Sequence, residues 1–150
     1  MRSFSAGEGK EIIVLALDSG DDILESVHKA IEEEDIENGV FLSGLGSLSE
    51  VKYHIVAEDE KSEGGSDWKN LFFEKKGKIE VMSVTGLIAS REPHLHITLS
   101  QDDQAFGGHL EEGSKVLTVA ELVIMKLGKN MFRKVGEEGY GRLFLNSEKN

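Results

Sequence analysis

Apolar residues first cluster at positions 12–17, IIVLAL, a short continuous run rich in β-branched side chains that reads as a buried strand. The pattern then changes period. Ile23, Leu24, Val27, Ala30 and Ile31 recur at helical spacing opposite Glu25, Lys29 and Glu32, with Ser19 and Asp21 as candidate N-caps. This predicts one amphipathic helix, ending near Asn38 and Gly39, where a left-handed residue is easily accommodated. His28 lies beside the apolar stripe and reads as a boundary or surface residue. Beyond the helix the periodicity is two, or the apolar runs are short. Residues 40–42, 51–56, 71–73, 79–87, 95–99 and 116–127 all read as strands separated by Gly, Asp and Asn. The last of these would also suit a buried helix, but its valines and isoleucine favour strand. One helix against an antiparallel sheet gives an α+β class. SGLGS, residues 43–47, lacks the third glycine and following helix of a dinucleotide fingerprint, so a turn or bulge between two strands is expected there. Residues 57–70 are polar and glycine-containing and read as an exposed loop, with Trp68 as a candidate anchor.

At 150 residues a single domain is expected, with its core from about 11 to 144. There is no cysteine, which excludes disulfides and thiolate metal sites and leaves only nitrogen and oxygen ligands. No run approaches the roughly 20 apolar residues that span a bilayer, so a cytoplasmic protein with no membrane partner is expected. The 17 basic and 28 acidic residues give a formal net charge of −11, which repels phosphate backbones and anionic lipids. Two basic clusters, Lys75, Lys76 and Lys78, and Lys126, Lys129, Arg133 and Lys134, read as solvated loop ends.

The chemistry concentrates in REPHLHITLSQDDQAFGGHLEEG, residues 91–113, where three of the five histidines fall within sixteen positions. In a strand His94 and His96 share one face, about 7 Å apart. A hairpin turning between Asp102 and Asp103 pairs positions whose numbers sum to 205, which sets His109 opposite His96. Opposed residues share a face with β-carbons about 5 Å apart, so three imidazole nitrogens can converge on one ion at about 2.1 Å. A glycine bulge at Gly107 and Gly108 would shift that register. Pro93 suits the first residue of the strand. Three neutral imidazoles suit zinc first among divalent metals, with nickel, iron or copper as alternatives, and leave a fourth position open. Alternation places Glu92 and Glu111 on the histidine face as candidate bases or outer partners of the ligands.

GKIEVMSVTG, PHLHITLS, AFGGHLEEG and TVAELVI, with SGLGSLSEV after the helix, resemble the PPC domain, the plant and prokaryote conserved domain also found in plant AT-hook nuclear proteins. The resemblance implies a curved antiparallel sheet with one main helix, assembled as a homotrimer. Gly77, Lys78, Ile79, Glu80, Val81 and Met82 are similar to the Gly-Arg-Phe-Glu-Ile-Leu hexapeptide through which plant members contact partner proteins, which implies regulatory proteins as partners. Single-domain prokaryotic members carry His-x-His and Gly-Gly-His as metal ligands, here His94, His96 and His109, whereas plant members often lack these histidines. Prokaryotic relatives are often described as DNA-binding, but this sequence holds no Arg-Gly-Arg-Pro hook. The combined reading is a metal-binding homotrimeric module with a regulatory, DNA-associated or partner-binding role. A metal-dependent hydrolase or lyase working at the open coordination position is the alternative. A double-histidine cupin ranks last, because the glutamate expected shortly after His-x-His is replaced by Leu99, Ser100 and Gln101.

Overall fold

A computed structural model of the chain describes residues 9–58, 68–128, 130–136 and 141–145. Its elements, in order, are β1 (Gly9–Asp18), α1 (Ile23–Glu33), β2 (Asn38–Glu58), β3 (Trp68–Ala89), β4 (Glu92–Gln101), β5 (Gln104–Leu110), β6 (Lys115–Leu127), β7 (Met131–Val135) and β8 (Gly141–Leu145). The first six strands make one antiparallel sheet in the order β1-β6-β2-β3-β4-β5, and β7 and β8 form a separate hairpin.

Two pairs of predicted strands are each a single long strand. Residues 40–42 and 51–56 both belong to β2, and residues 71–73 and 79–87 both belong to β3. SGLGS is therefore not a turn between strands. It is a bulged stretch inside β2, where the register against β6 shifts between Phe41 and Ser43 and again between Gly46 and Leu48. Bulges increase twist and bend, so a 21-residue strand can curve without breaking. Gly46 sits at φ +148°, and a Cβ there would stand 2.6 Å from the Ala120 Cα, so the close approach of β6 requires glycine.

The curvature closes part of the sheet on itself. β6 runs beside β2 as far as Glu50, and from Tyr53 the same edge of β2 is taken over by β5, through Tyr53 opposite Leu110 and His54 opposite His109. β2, β3, β4 and β5 thus form a ring with an apolar interior. Val51, Tyr53, Val81, Val84, Leu95, Ile97, Leu99 and Leu110 are buried within one cluster that extends to the helix. At 1.5–3 kcal/mol per large buried side chain, such a cluster dominates the favourable side of folding.

The helix supplies Ile23, Val27, Ala30 and Ile31 to this core, while His28 is exposed. Its N-cap is Asp22, whose carboxylate accepts from the backbone N–H groups of Leu24 and Glu25, and not Ser19 or Asp21. Those two side chains are engaged elsewhere, Ser19 donating to the Leu117 carbonyl and Asp21 accepting from the Asp18 N–H. The helix also ends earlier than its glycine suggests. Asp35 takes the left-handed conformation at φ 49°, the Ile36 N–H bonds the Ile31 carbonyl at 2.9 Å, and both isoleucines are buried. This is the Schellman pattern, fixed by the burial of Ile36 with an aspartate where glycine is commoner. Within the predicted 57–70 loop, β2 and β3 still pair through Ala57 opposite Lys69. Residues 59–67, the side chain of Trp68 and Lys129 lie outside the described residues.

Candidate metal centre

β4 is anchored by its inward residues. Leu95, Ile97 and Leu99 are buried, so the alternate positions His94 and His96 must face outward. The turn follows at Asp102, which adopts φ 56°, and the ladder then holds the 205 sum without interruption from Gln101 opposite Gln104 to His96 opposite His109. No bulge forms at Gly107 and Gly108. Their role is clearance: a Cβ at Gly107 would lie 2.0 Å from the Ile97 carbonyl oxygen, and one at Gly108 would lie 2.3 Å from that of His54. The two glycines let β5 sit tightly between β4 and β2.

His94, His96 and His109 converge, with one ring nitrogen from each within 4.8 Å of the others. The Nε2 atoms of His94 and His96 are 3.3 Å apart, and the His109 ring stands edge-on to both, at centroid distances of 4.7 and 5.6 Å. Two nitrogens bound at 2.1 Å around a tetrahedral ion are separated by about 3.4 Å, so the His94–His96 pair already has ligand spacing. Burial is the main force that pushes His94 down to about 4, with His109, Arg133, His96 and His54 adding repulsion. His109 is lowered from its ordinary value for the same leading reason. Both rings are therefore neutral at pH 7, the state a metal requires.

Ring closure adds a fourth histidine that the sequence pattern missed. His54 of β2 lies opposite His109, its ring centroid 4.5 Å away, so His54, His109 and His96 form one row across three adjacent strands. Its Nδ1 is 2.5 Å from the Glu111 carboxylate, which fixes the tautomer with Nδ1 donating. His54, His109 and Glu111 also bring ligand atoms within 4.8 Å of one another, so His109 is common to two clusters. With Val51 and Tyr53 inward, alternation places the following His54 outward, but the pairing of position 54 with 109 is long-range and has no local signal. Of the two predicted carboxylates, Glu111 reaches this row; Glu92 is exposed at the start of β4, opposite Ala89.

A cavity of about 490 Å³ opens over the cluster, lined by His54, His94, His96, His109, the apolar Ile55 and Val56, and Gly141 of β8. The hexapeptide lies elsewhere, in β3. Ile79 and Val81 point into the core, whereas Gly77, Lys78, Glu80 and Met82 are exposed. Three members of the basic clusters are engaged: Lys76 pairs with Glu50 and Glu74, Lys126 pairs with Glu11, and Lys75 lies over the Phe106 ring.

Residues 4–128 match the Plants and Prokaryotes Conserved (PCC) domain. The chain belongs to this family. Among solved structures, the PCC fold here is similar to that of a metal-containing protein from Archaeoglobus fulgidus, at 23% identity over 93% of this chain and 95% of that one, with a TM-score of 0.77. It is also similar to a plant- and prokaryote-conserved protein of Pyrococcus horikoshii, at 26% identity over 89% and 91% of the two chains, with a TM-score of 0.71. A Synechococcus protein named bifunctional protein GlmU is 26% identical over 136 residues, 90% of this chain. The chain spans 20% of the length of that curated relative. Among the described residues no helix is long and apolar enough to cross a membrane.

Proposed function

We propose that this PCC domain is a divalent-metal-binding module in which His94, His96 and His109 hold one ion, zinc first, and which assembles as a homotrimer with a regulatory, partner-binding role. The observation that carries the metal reading is the convergence of three outward imidazoles, one pair of them 3.3 Å apart. The metal-containing Archaeoglobus fulgidus protein of like fold supports it. Bound there, zinc would supply a Lewis acid with a fourth position for an incoming ligand. The partner surface would be the outward half of the hexapeptide, Lys78, Glu80 and Met82, because Ile79 and Val81 are committed to the core. A DNA-associated role has less support, since the net charge of −11 opposes it and Lys75, Lys76 and Lys126 are already engaged.

Elemental analysis of untagged protein tests the metal reading. Near one equivalent per chain is expected, lost in both His96→Ala and His109→Ala; metal retained in both variants would overturn it. Gel filtration with light scattering should give three times the 16.5 kDa chain mass, and a monomer at micromolar concentration would remove the trimer. A second reading, a metal-dependent hydrolase or lyase in the cytoplasm, is favoured by the cavity over the cluster and by the Glu111–His54 pair beside it. Equal inactivity of metal-loaded and metal-free protein across small-molecule panels would exclude it.

A further inference from the structure

The β7–β8 hairpin is tied down beside this cavity. Asn38, at the start of β2, accepts from the Met131 N–H at 2.9 Å, and Ser90 donates to the Met131 carbonyl at 2.7 Å. Two residues further along β7 stands Arg133. Its Nη1 is the one side-chain polar atom among the described residues that is enclosed with no hydrogen-bond partner, and no carboxylate among them forms an ion pair with it. Enclosing a guanidinium donor without a partner is costly, and such a group in a folded protein calls for an explanation. Desolvation lowers the Arg133 pKa from its ordinary value, as expected for a charge without a counter-ion.

A Cβ at Gly141 would stand 3.4 Å from the Arg133 Cβ and 3.5 Å from its Cδ, so the arginine stem runs alongside Gly141, which lines the histidine cavity; Arg133 itself stands next to that lining and not in it. Arg133 is also among the charges that depress both His94 and His109. Arginine as a residue remains partly exposed here, so only Nη1 is sealed and the rest of the fork keeps its access. A permanent cation thus sits beside a cluster of neutral imidazoles, within a protein whose surface is otherwise strongly acidic.

We propose that the cavity binds a small organic carboxylate whose charged end reaches the accessible part of the Arg133 guanidinium at the Gly141 edge, beside the three histidines, with its hydrocarbon part against Ile55 and Val56. The planar fork of arginine matches a carboxylate in two parallel hydrogen bonds, which a lysine cannot reproduce. The cavity has the volume of a small-ligand site, and its apolar wall suits an organic acid better than inorganic phosphate. This proposal rests on the metal reading for the charge of the completed site, but the arginine contact is separable from it.

The test uses the 150-residue chain loaded with Co²⁺, whose visible spectrum reports its ligands, titrated with butyrate and, in parallel, with inorganic phosphate. Butyrate is expected to perturb the spectrum saturably and to bind more tightly than phosphate. Arg133→Met should weaken butyrate roughly ten- to a hundredfold, the range for losing a charge-assisted hydrogen bond, while Co²⁺ affinity stays within about threefold. Arg133→Lys, which keeps the charge and the stem, should still weaken butyrate about tenfold through loss of the fork. Equal butyrate affinity in wild type and both variants overturns the proposal, as does phosphate binding more tightly than butyrate. Failure of wild type to bind Co²⁺ overturns the metal reading instead, and butyrate binding to the metal-free protein, weakened by Arg133→Met, would still sustain the arginine contact.

Discussion

Removing one carboxylate should test how the helix and the site are joined. Asp22 is buried, with one oxygen accepting from the Leu24 and Glu25 N–H groups at 3.0 and 3.1 Å and the other from the Gly113 N–H at 2.7 Å. Residues 113–116 are clamped to the helix start a second time, by the Ile23 N–H on the Ser114 carbonyl and the Val116 N–H on the Asp21 carbonyl. Ser114 in turn bonds the Glu111 carbonyl and the backbone of Lys52, two residues before His54. Asp22→Ala loses the N-cap, worth about 1 kcal/mol, and leaves the half-buried Gly113 donor unsatisfied, worth about 1–3 kcal/mol. The expected cost is about 3 kcal/mol, a large share of the 5–15 kcal/mol typical of domains, and at 2–4 °C per kcal/mol it lowers Tm by about 6–12 °C. Asp22→Asn keeps an acceptor for the helix but turns an amide NH₂ toward the Gly113 N–H, so it should fall between wild type and Asp22→Ala. Urea and thermal unfolding of the three proteins decide the matter. An Asp22→Ala protein within about 0.5 kcal/mol of wild type, the ordinary range for surface substitutions, would refute the account of this carboxylate as a clamp.

Two further outcomes follow from the site. In the metal-free protein, folded His94 resists protonation down to about 4 while the unfolded chain takes the proton near 6.5, and His109 shifts in the same direction. Stability should therefore fall as pH drops from 6.5 towards 4, and urea midpoints of chelator-treated His94→Gln should show a shallower fall than wild type; parallel pH profiles would contradict this. Gly108→Ala places a Cβ 2.3 Å from the backbone oxygen of His54, which cannot move aside as a side chain would. It should cost about 1–3 kcal/mol and weaken metal binding by forcing β5 and His109 away from β2, measurable by thermal unfolding and metal titration. Unchanged metal affinity in that variant would mean that the ring closure does not position His109.

The parts of the fold that were legible are those whose signal is local. The β4–β5 hairpin follows from two aspartates and an alternation that keeps Leu95, Ile97 and Leu99 inward, and this alone places three histidines on one face. The helix was legible from its stripe but not from its ends. Ser19, Asp21 and Asp22 are all competent caps, and tertiary contacts to Gly113 and Ser114 select among them. The continuity of β2 and β3 was hidden because bulges at SGLGS carry the same glycines that elsewhere make turns. His54 and Arg133 are illegible for another reason: each reaches the site through a pairing or packing remote in sequence, and the neighbours Lys126, Lys129 and Lys134 group Arg133 with solvated cations.

The placement of the cluster on the outer face of a closed ring separates what folds the chain from what it binds. Tyr53, Leu95, Ile97 and Leu110 face the core, and their immediate neighbours His54, His94, His96 and His109 face the cavity. A one-residue slip would exchange the two sets, so burial of the apolar residues also fixes the direction of the imidazoles. The histidines add little to the core in return. Replacing them should remove the site at small cost to the fold. Arg133 stands on a hairpin outside the ring, so the group that we assign to anion binding can vary independently of the metal ligands.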